Sequence, residues 1–511
     1  MIENLQLGLE TALSPTNLLW CFVGVFLGTV IGLLPGLGSA TGVAILLPVT
    51  LAMEPITALT MLAGIYYGSQ YGASTSSILL ATPGDSSSVV LTLDGYQMAR
   101  NGRAGAALAI SALSSFVASI ITLVGLLLLA QPIAAVALNF GPPENLAIIL
   151  LGLATIVTFA RENVLRGIIM AAMGLLISMV GIAAGFPVAR FTFGSVNLLS
   201  GFEFVAVMIG LFAIGEVLHQ IHRGGEAPIR AGFRDLLLTR SELRRSVAPT
   251  LRGAATGFGL GVLPGAGATL ASFMSYGLEG RVGPNRKKLG TGTVEGVAGP
   301  EASNNAAANA SFIPTLSLGI PGSGTTAVLL GAFVIFGLQP GPLLFEQHPA
   351  LVWGLLVSFF FGNLLLLVLN LPLAPVFAQV LRLPYSYLYP LILFLGLIGA
   401  FAVGNNTFTL WVVFAAGLLG YLMKRFGFPV APLVLGLVLG PLLERALDQT
   451  SSMSGGNLLI VFQRPIAAVF TTAAILAFLG PPLSKEISRR RARRARTGPT
   501  TRSARSEDID A

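Results

Sequence analysis

The sequence predicts an all-α polytopic membrane protein made of two inverted-topology repeats, with broken or re-entrant helices and about 10–14 membrane segments. Three observations carry that expectation. Of the 511 residues, 54% are hydrophobic and only 10% charged, with a mean hydropathy of +0.81. A soluble domain carries about 25% charged residues, so this chain lacks the polar surface to coat itself in water. Apolar stretches of spanning length, about 20 residues, recur along the chain. Finally, one phrase occurs twice: "VIGLLPGLGSATG" from Val30 to Gly42 and "LGVLPGAGATLAS" from Leu260 to Ser272.

The first repeat is assigned to 1–218, with apolar stretches near 17–34, 56–80, 105–138, 143–160, 165–184 and 202–218. Glu3 and Glu10 with no Lys or Arg before residue 17 lack the basic start of a signal peptide, so targeting is expected to rest on the membrane segments. A basic linker, 219–252, carries Arg223, Arg230, Arg234, Arg240, Arg244, Arg245 and Arg252, and the positive-inside rule puts it in the cytoplasm. The second repeat, 253–484, has stretches near 253–275, 305–336, 350–381, 386–403, 407–423, 429–447 and 457–480. A basic tail, 485–511, is expected to be disordered, cytoplasmic and near anionic lipid. No folded nucleic-acid-binding module accompanies it, so no nucleic-acid partner is expected.

Two phrases recur in the same order. Gly24, Gly28, Gly32 and Gly36 are spaced by four, as are Gly253, Gly257, Gly261 and Gly265. Each series ends in Leu-Pro-Gly-x-Gly, through Pro35, Gly36 and Gly38 or Pro264, Gly265 and Gly267. "TPGDSSS" (from Thr82) and "IPGSGTT" (from Ile320) then follow, one in each half. Basic residues assign the orientation. Arg100 and Arg103 follow the second phrase of the first half, whereas Arg281, Arg286, Lys287 and Lys288 lie between the phrases of the second. Arg161 and Arg166 face a matching loop, 404–407, that has none. The halves therefore read as inverted, with Arg190 left outside as the exception.

The glycine series has a plain reading as close helix packing. That reading leaves the Pro-Gly breaks unexplained. A break inside a bilayer strands backbone N–H and C=O groups unless protein or a water-filled cavity receives them. Ser39, Thr41 and Thr269 supply hydroxyls after the first phrases, and Ser86, Ser87, Ser323, Thr325 and Thr326 after the second. Hydroxyls there also cap helices. The functional reading is an anion site near the midplane, one tip from each half, with Gly322 at the second break of the second half. Asn304, Asn305 and Asn309 could donate to carboxylate oxygens. Asp85 and Glu301 are acids in apolar or hydroxyl-rich company, readable as caps, as surface-loop residues, or as ligands of a coupling cation, Na⁺ or H⁺.

No metal site is expected. The histidines are His219, His222 and His348, the lone cysteine is Cys21, and no Cys/His cluster exists. No GxxxxGK[ST] phosphate loop occurs, so the chain is not expected to hydrolyse ATP itself. An intramembrane hydrolase is a weak alternative: "PGD" at Pro83–Asp85 is preceded by Thr82 rather than Gly, and the matched position is Ser323, so no acid pair arises. A passive channel is a further alternative.

"GLLPGLGSATG", "YYGSQYGASTSSILLATPGDSSSVVLTLDGYQMARNGRAGAAL", "GVLPGAGATLASFMSY" and "PEASNNAAANASFIPTLSLGIPGSGTTAVLLGAF" together resemble the large permease subunit of the tripartite tricarboxylate transporter family. The resemblance spans nearly the whole chain apart from the tail and part of the linker. It implies a non-enzymatic, multi-pass protein of the bacterial inner membrane. It also implies a small four-helix membrane subunit and a periplasmic solute-binding protein as partners. The activity implied is secondary uptake of carboxylates, citrate and other tricarboxylates among them, driven by an ion gradient and needing no cofactor beyond the coupling cation.

Overall fold

The computed structural model describes residues 2–34, 36–137, 141–154, 164–183, 188–220, 229, 233–263, 267–341, 343–380, 385–404 and 406–478. Pro35, Pro264, Gly265, His222, Arg161, part of the basic linker and the whole basic tail lie outside the described residues.

The chain is all-α. Among the described residues the one sheet is a two-residue antiparallel pair, β1 (Gly181–Ile182) with β2 (Ala189–Arg190). The first half runs α1 (Ile2–Ala12), α2 (Pro15–Leu33), α3 (Gly38–Thr50) and α4 (Pro55–Leu80). After a break come α5 (Leu91–Met98), α6 (Ala104–Ala137), α7 (Pro142–Ala154), α8 (Val164–Ser178), α9 (Phe204–Met208) and α10 (Gly215–Gln220). A π-turn, Ile209–Ile214, joins the last two.

The second half opens with α11 (Arg240–Gly261), α12 (Gly267–Val282), α13 (Glu295–Ala310) and α14 (Phe312–Leu318). Then follow α15 (Gly324–Ile335), α16 (Leu344–Gln347), α17 (Pro349–Val380), α18 (Tyr385–Gly404), α19 (Thr407–Arg425), α20 (Val430–Met453), α21 (Ile460–Gln463) and α22 (Pro465–Phe478). Residues Arg240–Arg252 of the basic segment are thus helical and run without interruption into the second half.

Among the described residues, five helical stretches are long and apolar enough to cross a membrane: Pro15–Leu33, Leu91–Leu129, Pro349–Leu373, Thr407–Arg425 and Val430–Met453. Shorter apolar helices, α3, α7, α8, α15 and α22 among them, fill the spaces between. Large side chains such as Leu128, Val368, Phe394 and Trp411 stand exposed on the outer surface, where hydrocarbon is their solvent. This is a polytopic membrane protein.

The duplication read from the sequence recurs in the packing. A Cβ on Gly24, Gly28 or Gly32 would strike the carbonyls of Met61, Ile65 and Ser69 on α4. A Cβ on Gly253, Gly257 or Gly261 would strike those of Gly299, Ser303 and Ala307 on α13. Each series meets its partner helix at steps of four, so both halves use the same backbone-to-backbone contact, which only glycine permits. The helix α13 passes at Ser311 into α14, and it is the end of α14 that resembles the end of α4. Ala81 caps α4 in the left-handed region (φ 54°), and Gly319 caps α14 there (φ 66°).

The core joins both halves. Tyr66, Tyr67, Phe312 and Phe359 are buried together, with Phe312 and Phe359 ring centroids 4.7 Å apart. Asp94 of α5 is a second junction. Its carboxylate is wholly buried and accepts from the N–H groups of Gly290 (2.8 Å), Gly292 (2.9 Å) and Thr293 (2.7 Å) and from the Tyr276 hydroxyl (2.9 Å).

Several charges elsewhere are paired. Arg252 grips Glu279 and Arg245 grips Glu295, each through two nitrogens at 2.7–2.9 Å, and Arg103 pairs with Glu242 in the first turn of α11. Arg190, the exception in the charge pattern, pairs with Glu444 at 2.8 Å.

Candidate functional site

The two broken phrases of each half come together. The helix α2 stops at Leu33 because Pro35 follows, and the chain turns through Gly36 (φ 81°) and Gly38 (φ 66°) before α3 begins. The Gly36 N–H donates to the Pro83 carbonyl at 3.3 Å, which ties the first break to the second. The matching turn in the other half keeps Gly267 at φ 63° at the start of α12.

These ends line a cavity of about 1010 Å³. Its wall includes Gly36, Gly38, Ser39 and Thr41 from the first break and Asp85, Ser86 and Ser87 from the second. From the other half come Gly267 and Thr269, then Ser323 and Thr325. Sequence reasoning named all of these. Ser86 Oγ and Thr269 Oγ1 stand 2.8 Å apart, and Tyr66 OH and Ser323 Oγ 3.4 Å apart, so the halves touch across the cavity through hydroxyls.

Asp85 is the most connected group at the tips. One carboxylate oxygen accepts from the Ser39 N–H (3.1 Å) and hydroxyl (3.0 Å). The other accepts from the Ser87 N–H (3.2 Å) and the Ser86 hydroxyl (3.3 Å). The Ser87 hydroxyl donates to Gln70 Oε1 at 2.7 Å. Asp85 therefore caps one helical turn and also fills the anion position at the start of α3. At the matched position, Ser323 makes a capping box with Thr326, with N–H to oxygen distances of 2.8 and 3.2 Å. No side-chain carboxylate is supplied from that position.

Other named residues lie elsewhere. Glu301, Asn304, Asn305 and Asn309 are buried on α13 outside the cavity wall; Gly322, before α15, and Thr326, in its first turn, are also buried outside it. Glu301 accepts from Ser74 Oγ and Ser115 Oγ, both at 2.8 Å, and from Asn305 Nδ2 at 3.3 Å. Both polar atoms of the Asn304 side chain, and Asn309 Oδ1, make no hydrogen bond among the described residues. Glu301 is thus an interior acid, not a residue of a surface loop. No cluster of three His, Cys, Asp or Glu suited to a metal occurs among the described residues.

The wall also holds groups that sequence reasoning did not assign to the site: Tyr66, Gln70, Arg166, Glu216 and Lys424. Glu216 pairs with Lys424. Arg166 Nη1 donates to the carbonyls of Phe426 (2.9 Å) and Gly427 (3.1 Å), and its guanidinium lies 5.1 Å from the centre of the Phe428 ring. An acid inside the apolar stretch 202–218 was the available signal for Glu216.

Broken helices from two repeated halves, converging on a polar cavity inside an apolar helical bundle, define a membrane transporter. The sequence profile of the tripartite tricarboxylate transporter TctA family matches residues 18–435, and the chain belongs to that family. Two curated relatives come from Agrobacterium vitis. An uncharacterized 52.8 kDa protein in the TAR-I ttuC' 3' region is 46% identical over 471 residues, spanning 92% of this chain and 93% of its own length. An uncharacterized protein in the TAR-II ttuC' 3' region is 47% identical over 209 residues, 41% of this chain and 86% of its own length. No solved structure matches the chain.

Proposed function

We propose that the chain is the large membrane subunit of a binding-protein-dependent secondary transporter that takes up tricarboxylates or related carboxylates. It works in the bacterial inner membrane with a small four-helix subunit and a periplasmic solute-binding protein. The supporting observation is the cavity of about 1010 Å³ lined by hydroxyls and helix starts that follow the breaks of both halves. Its first α3 tip already holds the Asp85 carboxylate. The tips of α12 and α15 carry no such acid from Ser323, so they are where the substrate carboxylate docks, on backbone N–H groups with Thr269, Ser323 and Thr325 hydroxyls.

A cation gradient, Na⁺ or H⁺, drives accumulation, with Asp85 or Glu301 as the candidate coupling residue. Asn304 Oδ1, one helical turn from Glu301 and without a partner among the described residues, is an oxygen that a cation beside that acid could use. Uptake of labelled citrate and other carboxylates into cells with and without the chain, with its partners present, tests the function. Accumulation should require the chain and collapse with the ion gradients. Passive conductance without a binding protein would instead indicate a channel. Asp85→Asn and Glu301→Gln should each weaken the cation dependence of uptake at unchanged protein level. Unchanged dependence in both leaves these acids with structural roles.

A further inference from the structure

The ion pair in the cavity wall, Lys424 with Glu216, carries a more specific assignment, which rests on the carboxylate-transport reading. Lys424 lies in the last turn of α19 and Glu216 in the first turn of α10. The Glu216 side chain is 6% exposed, and Lys424 is 21% exposed at the cavity. A cation at a helix end in a membrane protein commonly extends to the headgroups. Arg425, the next residue, is exposed and donates to the Tyr421 hydroxyl at 3.1 Å. Lys424 turns the other way, into the wall.

The turn after it is pinned in that arrangement. Arg166 from α8 holds the Phe426 and Gly427 carbonyls and lies over the Phe428 ring, so it acts as a positioning residue for the end of α19. An enclosed ion pair is a poor source of stability, since apolar residues of similar volume serve as well or better. Its place in a cavity wall is therefore better explained by a binding use than by stability. An ammonium group has three donors, and Glu216 does not exhaust them. The two acids of the wall are both engaged, Asp85 by the tips and Glu216 by Lys424. The cavity thus has two kinds of anion-binding wall: hydroxyls and helix ends at the tips, and a cation beside α10.

We propose that Lys424, oriented by Glu216, receives a second carboxylate of the substrate, while the first lies against the tips. The site then favours di- and tricarboxylates over monocarboxylates through a named residue.

The test is equilibrium binding of labelled propionate, succinate and citrate to the purified full chain in detergent. The variants are Lys424→Gln, Lys424→Arg and the double variant Glu216→Gln/Lys424→Gln. Lys424→Gln should raise the citrate and succinate dissociation constants at least tenfold with no matching loss for propionate. Lys424→Arg should recover most of the affinity. The double variant removes both charges, so it folds without a stranded acid and should still bind citrate weakly. Two results overturn the proposal: Lys424→Gln binding citrate like the wild type, or the double variant regaining wild-type affinity, which would make the pair purely structural. Wild-type protein that binds none of the three anions refutes the carboxylate reading itself, and this inference with it.

Discussion

Two glycines only eight residues apart, Gly28 and Gly36, are required for different reasons. At Gly28 a Cβ would come within 2.7 Å of Ile65 Cα, between two helices that cannot separate without opening the core. Gly28→Ala is therefore an overpacking change of about 1–3 kcal/mol. It should lower the amount of folded protein in the membrane, with activity falling in proportion. Gly36 has φ 81° and faces the cavity, so Gly36→Ala strains the tip by about 1–2 kcal/mol and crowds its ligand. That variant should insert normally and raise the carboxylate concentration for half-maximal uptake. Membrane abundance and uptake measured together separate the two. Proportional loss of protein and activity in Gly36→Ala would mean that the tip is packing alone. Both roles could be read in the sequence, because spacing by four and Pro-Gly are local signals. Lys424 and Glu216 could not be joined that way, since their partnership depends on a contact between helices more than 200 residues apart.

Among elements, α11 has a reciprocally capped start reinforced by an ion pair. Thr239 caps it, and Glu242 returns the contact by accepting from the Thr239 N–H at 2.9 Å and hydroxyl at 2.8 Å, with Arg103 beside it. Burial works to raise the Glu242 carboxyl. The hydrogen bonds from Thr239 and the Arg103 guanidinium outweigh it and hold the group below its usual range. A carboxyl lowered on folding contributes stability above its unfolded value, about 4.3, and the contribution is lost as pH falls through the folded value. Wild type should therefore melt above Glu242→Gln at pH 7, with the gap closing below about pH 4. Thr239→Ala should cost about 1 kcal/mol at neutral pH. Equal melting of wild type and Glu242→Gln at pH 7 would remove the cap from the account. Helix existence was legible at this scale from apolar runs, as in α4, α17 and α20. The ends were less so. The charged run 240–252 reads as linker by composition, yet its arginines find Glu279 and Glu295 on neighbouring helices and so permit a helix.

For the whole molecule, the charge pattern makes a forecast about sidedness. The hairpin near 190 and the start of α11 should lie on opposite faces of the membrane. Cys21 is buried and is the lone thiol, so a Cys21→Ser background allows single-cysteine labelling. Asn197→Cys should react from the periplasm and Arg244→Cys from the cytoplasm. Labelling of both from one side would end the inverted-repeat reading. The duplication itself was visible in the sequence because its phrases are short and nearly identical. The seam between halves was not, because Asp94 meets its partners only through tertiary structure.

That seam bears on how the protein is made. The Asp94 carboxylate has no exposure in the finished molecule, and its donors at Gly290, Gly292 and Thr293 lie 196 or more residues downstream. Ribosomes add about 5–20 residues per second, so the nascent first half waits roughly 10–40 s before those donors emerge. Through that interval an acid destined for the interior must be kept hydrated at the membrane surface or sheltered by the insertion machinery. Completion of the first half is thus coupled to the arrival of the second, and a nascent chain stalled before residue 290 would carry an acid without its backbone donors.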